Sequence, residues 1–188
     1  MYDYDDIDEE FHDDIPVGDT PDPDKLSPNS LAFIALCNEY CAALESAATM
    51  QKANLIDAML RLLPRIYITA SDISPMLTFG EGGYIAPALE EEVYDQIRNS
   101  VASVLGEDDI FLDTFVEDMK YSDTPIASSV SELLADLFQV FYDLLQTCRE
   151  APNQLINESL DAVRESFADY WSQTLTNALR AVNAIKYS

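Results

Sequence analysis

Apolar residues recur at steps of three and four in five separate stretches of this chain, a period that gathers them on one face of an α-helix. The first stretch, residues 28–47, aligns Ile34, Cys37, Cys41 and Leu44. The second, 52–70, aligns Leu55, Met59, Leu62, Leu63, Ile66 and Tyr67. The third, 88–105, carries Leu89, Val93, Ile97, Val101 and Val104, and the fourth, 126–149, carries Val130, Leu134, Leu137, Phe141, Leu144 and Cys148. The fifth and longest, 153–185, runs through Ile156, Leu160, Val163, Phe167, Trp171, Leu175, Leu179 and Val182. Five stripes of this kind predict an all-α fold, a single helical bundle of about five main helices.

The punctuation agrees with that period. Pro28, Pro87, Pro125 and Pro152 are each expected at a first helical position, where the missing N–H has no intrahelical partner to lose. Ser27 and Thr124 precede two of them as expected N-caps. Glu90, Glu91 and Glu92 open the third helix, where the helix dipole favours negative charge, and Arg149, Arg180 and Lys186 fall towards helix ends, where it favours positive charge. Gly106 is expected to close the third helix with a left-handed residue. Pro64 lies inside the second helix and is expected to kink it. No glycine or proline separates the first two helices, and a turn is placed near 48–52. Two apolar-rich connections, 71–87 and 107–124, are expected to fold as short helical turns over the core.

Charge divides the chain differently. Eleven of the first 24 residues are carboxylates, and this segment has no lysine or arginine and holds the only histidine, His12. Residues 1–26 are read as an acidic arm and linker, expected to be mobile, and 27–188 as the helical domain. The remaining 24 acids face all 10 bases, so the body contributes −14 of the total charge of −25. Both parts repel phosphates, which argues against direct nucleic-acid binding and against an anionic membrane surface. The most apolar window, 55–68, is interrupted by Asp57, Arg61, Pro64 and Arg65, and falls short of the roughly 20 apolar residues a spanning helix needs. The acidic start lacks the positive and apolar regions of a secretory signal, and three cysteines fit a reducing compartment. The expected localisation is cytoplasmic.

The residue types that carry chemistry are few. Cys37 and Cys41, four apart, share a helical face, but that face is the apolar stripe, and buried free cysteine packs as a small hydrophobe. Gly80–Gly83 lacks the lysine of a phosphate loop. Asp108, Asp109 and Asp113 in GEDDIFLD lack the alternation and central glycine of a calcium loop and are read as loop charge. No nucleophile–base pair is evident, so no catalytic residue, cofactor or metal is assigned. Phe167, Tyr170 and Trp171, with Phe138, Phe141 and Tyr142, form an aromatic stripe read first as core, with the polar tips of Tyr170 and Trp171 pointing to a pocket or surface as the sharper alternative. In the arm, Ile7, Phe11 and Ile15 are spaced by four among carboxylates, a pattern suited to a groove with a basic rim.

The runs Leu62-Leu63-Pro64-Arg65-Ile66-Tyr67, Leu105-Gly106-Glu107-Asp108-Asp109-Ile110-Phe111-Leu112 and Ser166-Phe167-Ala168-Asp169-Tyr170-Trp171, followed by Ala178-Leu179-Arg180-Ala181, resemble a family of small bacterial all-helical proteins catalogued as a domain of unknown function. The resemblance spans roughly residues 30–185. It implies a cytoplasmic helical fold and brings no catalytic residues. Three function classes follow. The leading one is a non-catalytic interaction or adaptor protein that binds a basic protein partner, with Ile7, Phe11, Ile15, Asp108, Asp109, Tyr170 and Trp171 as candidate contacts. The second is a nucleic-acid mimic that blocks a DNA- or RNA-binding protein, and the third an enzyme or small-ligand binder with a pocket near Tyr170 and Trp171.

Overall fold

The computed structural model describes residues 22, 24–75, 84–113 and 126–188. Helix α1 (Pro28–Glu45) begins as expected, with Pro28 in its first turn and Ser27 Oγ accepting the Ser30 N–H at 3.0 Å. It ends in a short 3₁₀ turn, Ala47–Thr49, and α2 (Lys52–Ser71) then runs through Pro64 without interruption. Helix α3 (Glu91–Leu105) starts four residues after Pro87, so this proline precedes the helix and does not open it. The anchor lies elsewhere: Asp143 Oδ1 accepts the N–H groups of Ala88 and Leu89 at 2.8 and 2.9 Å, fixing the chain that enters α3. Gly106 ends α3 with a positive φ of 62°, the conformation a side chain would oppose.

The connection after α3 departs from expectation. A 3₁₀ turn, Gly106–Asp109, leads into strand β1 (Ile110–Asp113), which pairs antiparallel with β2 (Ile126–Ser129), Ile110 opposite Ser129. Residues 126–129 are therefore strand, and α4 (Val130–Glu150) begins only at 130. Its cap is Ser129, whose Oγ accepts the Glu132 N–H at 3.3 Å; Thr124 and Pro125 lie outside the described residues. Alternation explains the strand: Ile110 and Leu112 point outward while Phe111 packs on the core. Helix α5 (Asn153–Ser166) has Pro152 at its N-cap, one position earlier than expected, and passes through a π turn, Phe167–Trp171, into α6 (Ser172–Tyr187). Counting α5, the π turn and α6 as one long helix, the described residues form five main helices.

Four of these elements close a ring. Helix α1 packs on α2, α2 on α6, α6 on α4, and α4 back on α1, while α3 lies outside on α4. The ring encloses an aromatic centre: Phe141 meets Phe33, Tyr40 and Trp171 edge-on, with ring centroids 6.2, 5.2 and 5.4 Å apart. Burying such rings contributes on the order of 2–3 kcal/mol each. Their polar tips are paired, as burial demands. Tyr40 Oη donates to the Leu134 carbonyl at 2.8 Å, and Trp171 Nε1 donates to the Val163 carbonyl at 3.1 Å and to Ser166 Oγ at 3.2 Å. Cys37 and Cys41 line the same core, and burial pushes both thiols up, Cys41 to about 12. No helix among the described residues is long and apolar enough to cross a membrane.

Candidate functional site

The π turn decides which aromatic groups reach the surface. In a regular helix, steps of four residues drift around the axis by about 40° each. The apolar positions Val163, Phe167, Trp171 and Leu175 are spaced by four throughout. The wider π turn, at Phe167–Trp171, absorbs that drift and keeps all four side chains inside. Tyr170 is thereby turned outward, 55% exposed, while Trp171 is fully buried.

Tyr170 faces Asp136, a half-buried carboxylate of α4 that a second phenol also holds. Tyr94 Oη of α3 donates to Asp136 Oδ1 at 2.7 Å. Both phenols are pushed above the usual tyrosine range. For Tyr94 the causes are burial, then the hydrogen bond to Asp136 and the charges of Asp136 and Glu132, opposed by Arg98. For Tyr170 they are burial and then the Asp136 charge, with a hydrogen bond to Thr174 pulling the other way. Beside them is an open cleft of about 420 Å³ between α3 and α4, lined by Leu89, Glu91, Tyr94, Asp95, Arg98, Asp136 and Gln139. Among the described residues its lining carries three carboxylates and one guanidinium, and that guanidinium, Arg98, is held by Asp95 at 3.0 Å. A carboxylate beside two protonated phenols accepts a cation and offers aromatic faces to it. Phenols this hard to ionise donate hydrogen bonds and make poor general bases.

The other sequence candidates are dispersed. Asp109 is buried: its Oδ1 accepts the Ser131 N–H at 2.7 Å and its Oδ2 the Ser131 hydroxyl at 2.8 Å. The expectation that Asp109 and Trp171 touch a partner fails on burial, because both side chains are committed inside the fold. Asp108 stays at the surface and pairs with Lys52, whose Nζ also donates to the Leu105 carbonyl at 2.9 Å at the end of α3. Ile7, Phe11 and Ile15 lie outside the described residues, as do Gly80–Gly83. Among the described residues no group of three or more His, Cys, Asp or Glu side chains could hold a metal ion. Tyr94 and Asp136 were not singled out by the sequence: they lie 42 residues apart on different helices, with no spacing to connect them.

Comparison with known proteins joins the architecture to a family. DUF5063, a domain of unknown function, matches residues 24–188, the whole helical body just described. The chain belongs to the DUF5063 family. A crystal structure of protein BF1032 from Bacteroides fragilis is similar to this DUF5063 chain at 30% sequence identity, with a TM-score of 0.72 over 86% of this chain and 94% of that one. No curated protein matches. The DUF5063 match covers the helical body, the cleft around Asp136 included.

Proposed function

We propose that this chain is a non-catalytic acidic interaction protein of the bacterial cytoplasm that binds a basic protein partner, taking a lysine or arginine side chain at Asp136 beside Tyr94 and Tyr170. One observation carries the reading: a half-buried carboxylate gripped by one phenol and faced by a second, at the mouth of a cleft where Arg98, the lining cation among the described residues, is already paired. A guanidinium or ammonium entering there gains a carboxylate and an aromatic face together. The net charge of −25 adds long-range steering of a basic partner.

The test is retention of the full chain on an immobilised lysine- and arginine-rich peptide. Binding is expected to fall steeply between low salt and about 0.5 M, where the screening length shrinks to a few ångströms. Asp136→Asn and Tyr170→Ala should each weaken retention by about tenfold, equivalent to about 1.4 kcal/mol. Serine at Ile7, Phe11 and Ile15 keeps the arm's charge and removes its apolar side. Retention abolished by that triple change and indifferent to Asp136→Asn would move the site from the cleft to the arm.

A further inference from the structure

Tyr94, the phenol that grips Asp136, also limits what that carboxylate can accept. Its Oη donates to Asp136 Oδ1 at 2.7 Å, reaching from α3 to α4. The Tyr170 phenol, from the π turn, hydrogen-bonds to the same carboxylate. The two phenols thus take two of the roughly four lone-pair positions that a carboxylate offers. Helix α4 presents further acceptors on either side of Asp136. Glu132, one turn before it, lies close enough for its charge to bear on both phenols, and Gln139, one turn after it, lines the cleft. Both are exposed, and steps of four and three put all three side chains on one strip of the helix.

We propose that this site selects an ammonium over a guanidinium, so that the group it takes is a lysine side chain, with Tyr94 as the residue that sets the choice. The inference rests on the cation-binding reading of the cleft given above and narrows it. A guanidinium binds a carboxylate most strongly as a fork, with parallel N–H groups on both oxygens. Here the fork must share Oδ1 with Tyr94, which weakens both bonds, or displace the phenol and leave a half-buried hydroxyl unpaired. An ammonium is a compact charge whose three rotatable donors need no matched pair of oxygens. It can take one oxygen of Asp136 and turn its other N–H groups to Glu132 or Gln139. The exposed ring of Tyr170 attracts either cation, so it adds affinity without discriminating between them.

Binding of the full chain to two immobilised peptides of equal length tests this, one of alternating lysine and serine and one of alternating arginine and serine. Equal peptide charge cancels the long-range pull of the −25 surface, so the ratio of the two dissociation constants reports on the site. The parent chain should bind the lysine peptide about fivefold more tightly, and Asp136→Asn should bring the ratio towards one. Tyr94→Phe keeps the ring and releases Oδ1, so it should tighten binding of the arginine peptide about threefold and cancel the lysine preference. Far-UV circular dichroism checks that both variants keep their helices. A parent chain that binds the arginine peptide as tightly as the lysine peptide, with both weakened by Asp136→Asn, overturns the selectivity and leaves the cation site standing. If Tyr94→Phe weakens both peptides equally and leaves the ratio unchanged, Tyr94 is merely structural and the proposal is overturned. Binding of both peptides that ignores Asp136→Asn removes the cation site, and the selectivity with it.

Discussion

Asp109 shows how one side chain can carry a change of element. The strand-to-helix junction at Ser129–Val130 leaves the first N–H groups of α4 without intrahelical partners. Ser129 satisfies that of Glu132, and Asp109, from the 3₁₀ turn before β1, reaches across to satisfy that of Ser131 and the Ser131 hydroxyl as well. Two hydrogen bonds to a buried charged acceptor predict that Asp109→Ala destabilises the fold by about 2–3 kcal/mol, with Asp109→Asn recovering part of the loss, measured by urea denaturation. In the sequence this residue is indistinguishable from its neighbour Asp108, which stays at the surface with Lys52. The difference lies in a partner 22 positions away, and spacing along the chain carries no information about that contact. The pairing of Tyr94 with Asp136 was hidden for the same reason. By contrast, the inward placement of Cys37 and Cys41 was legible, because both lie on an apolar stripe, and a stripe is a purely local property.

At the scale of elements, the long C-terminal helix makes the most specific prediction. The apolar positions from Val163 to Leu179 are spaced by four in every step, and an α-helix would carry the last of them about 160° away from the first. The π turn removes that conflict with a locally wider turn, and it is what separates exposed Tyr170 from buried Trp171. Deleting Asp169, an exposed residue of this turn, should regularise the helix and displace Tyr170 from Asp136. The expected result is a folded chain, destabilised by about 1–3 kcal/mol through altered core packing, that has lost its affinity for the basic peptide. Asp169→Ala, which keeps the backbone count, should stay within about 0.5 kcal/mol of the parent. Equal behaviour of the two variants would show that the π turn does not position the site. In the sequence these steps of four read as one ordinary helical stripe, because a period of three and four tolerates the drift until packing on other helices fixes which side must be buried. The β-hairpin was less legible, since an apolar run as short as Ile110–Asp113 suits a helical turn and a strand equally well until its partner is known.

For the whole molecule, core and surface respond to pH through different groups. Burial pushes the core thiols and the Tyr40 phenol up, Cys41 to about 12, while the half-buried Cys148 is pushed to about 11. In the unfolded chain these thiols release their protons near their ordinary value of about 8.5. Above that pH the unfolded state holds fewer protons than the folded one, so stability must fall as pH rises. The stabilising contribution of the protonated thiols is intact below about 8.5 and is lost progressively towards the folded-state values of about 11 and 12. The urea midpoint should therefore decline over that alkaline window, and replacing Cys41 and Cys148 with alanine should flatten the decline even though it lowers stability at neutral pH. Thiol reagents should react with Cys41 in the native protein only at the rate of unfolding. Salt supplies the contrasting lever: it screens the −25 surface and leaves the buried thiols untouched, so it should raise the midpoint at every pH without changing the alkaline slope. A slope that flattened with salt would place the titrating groups on the surface instead of in the ring of α1, α2, α6 and α4.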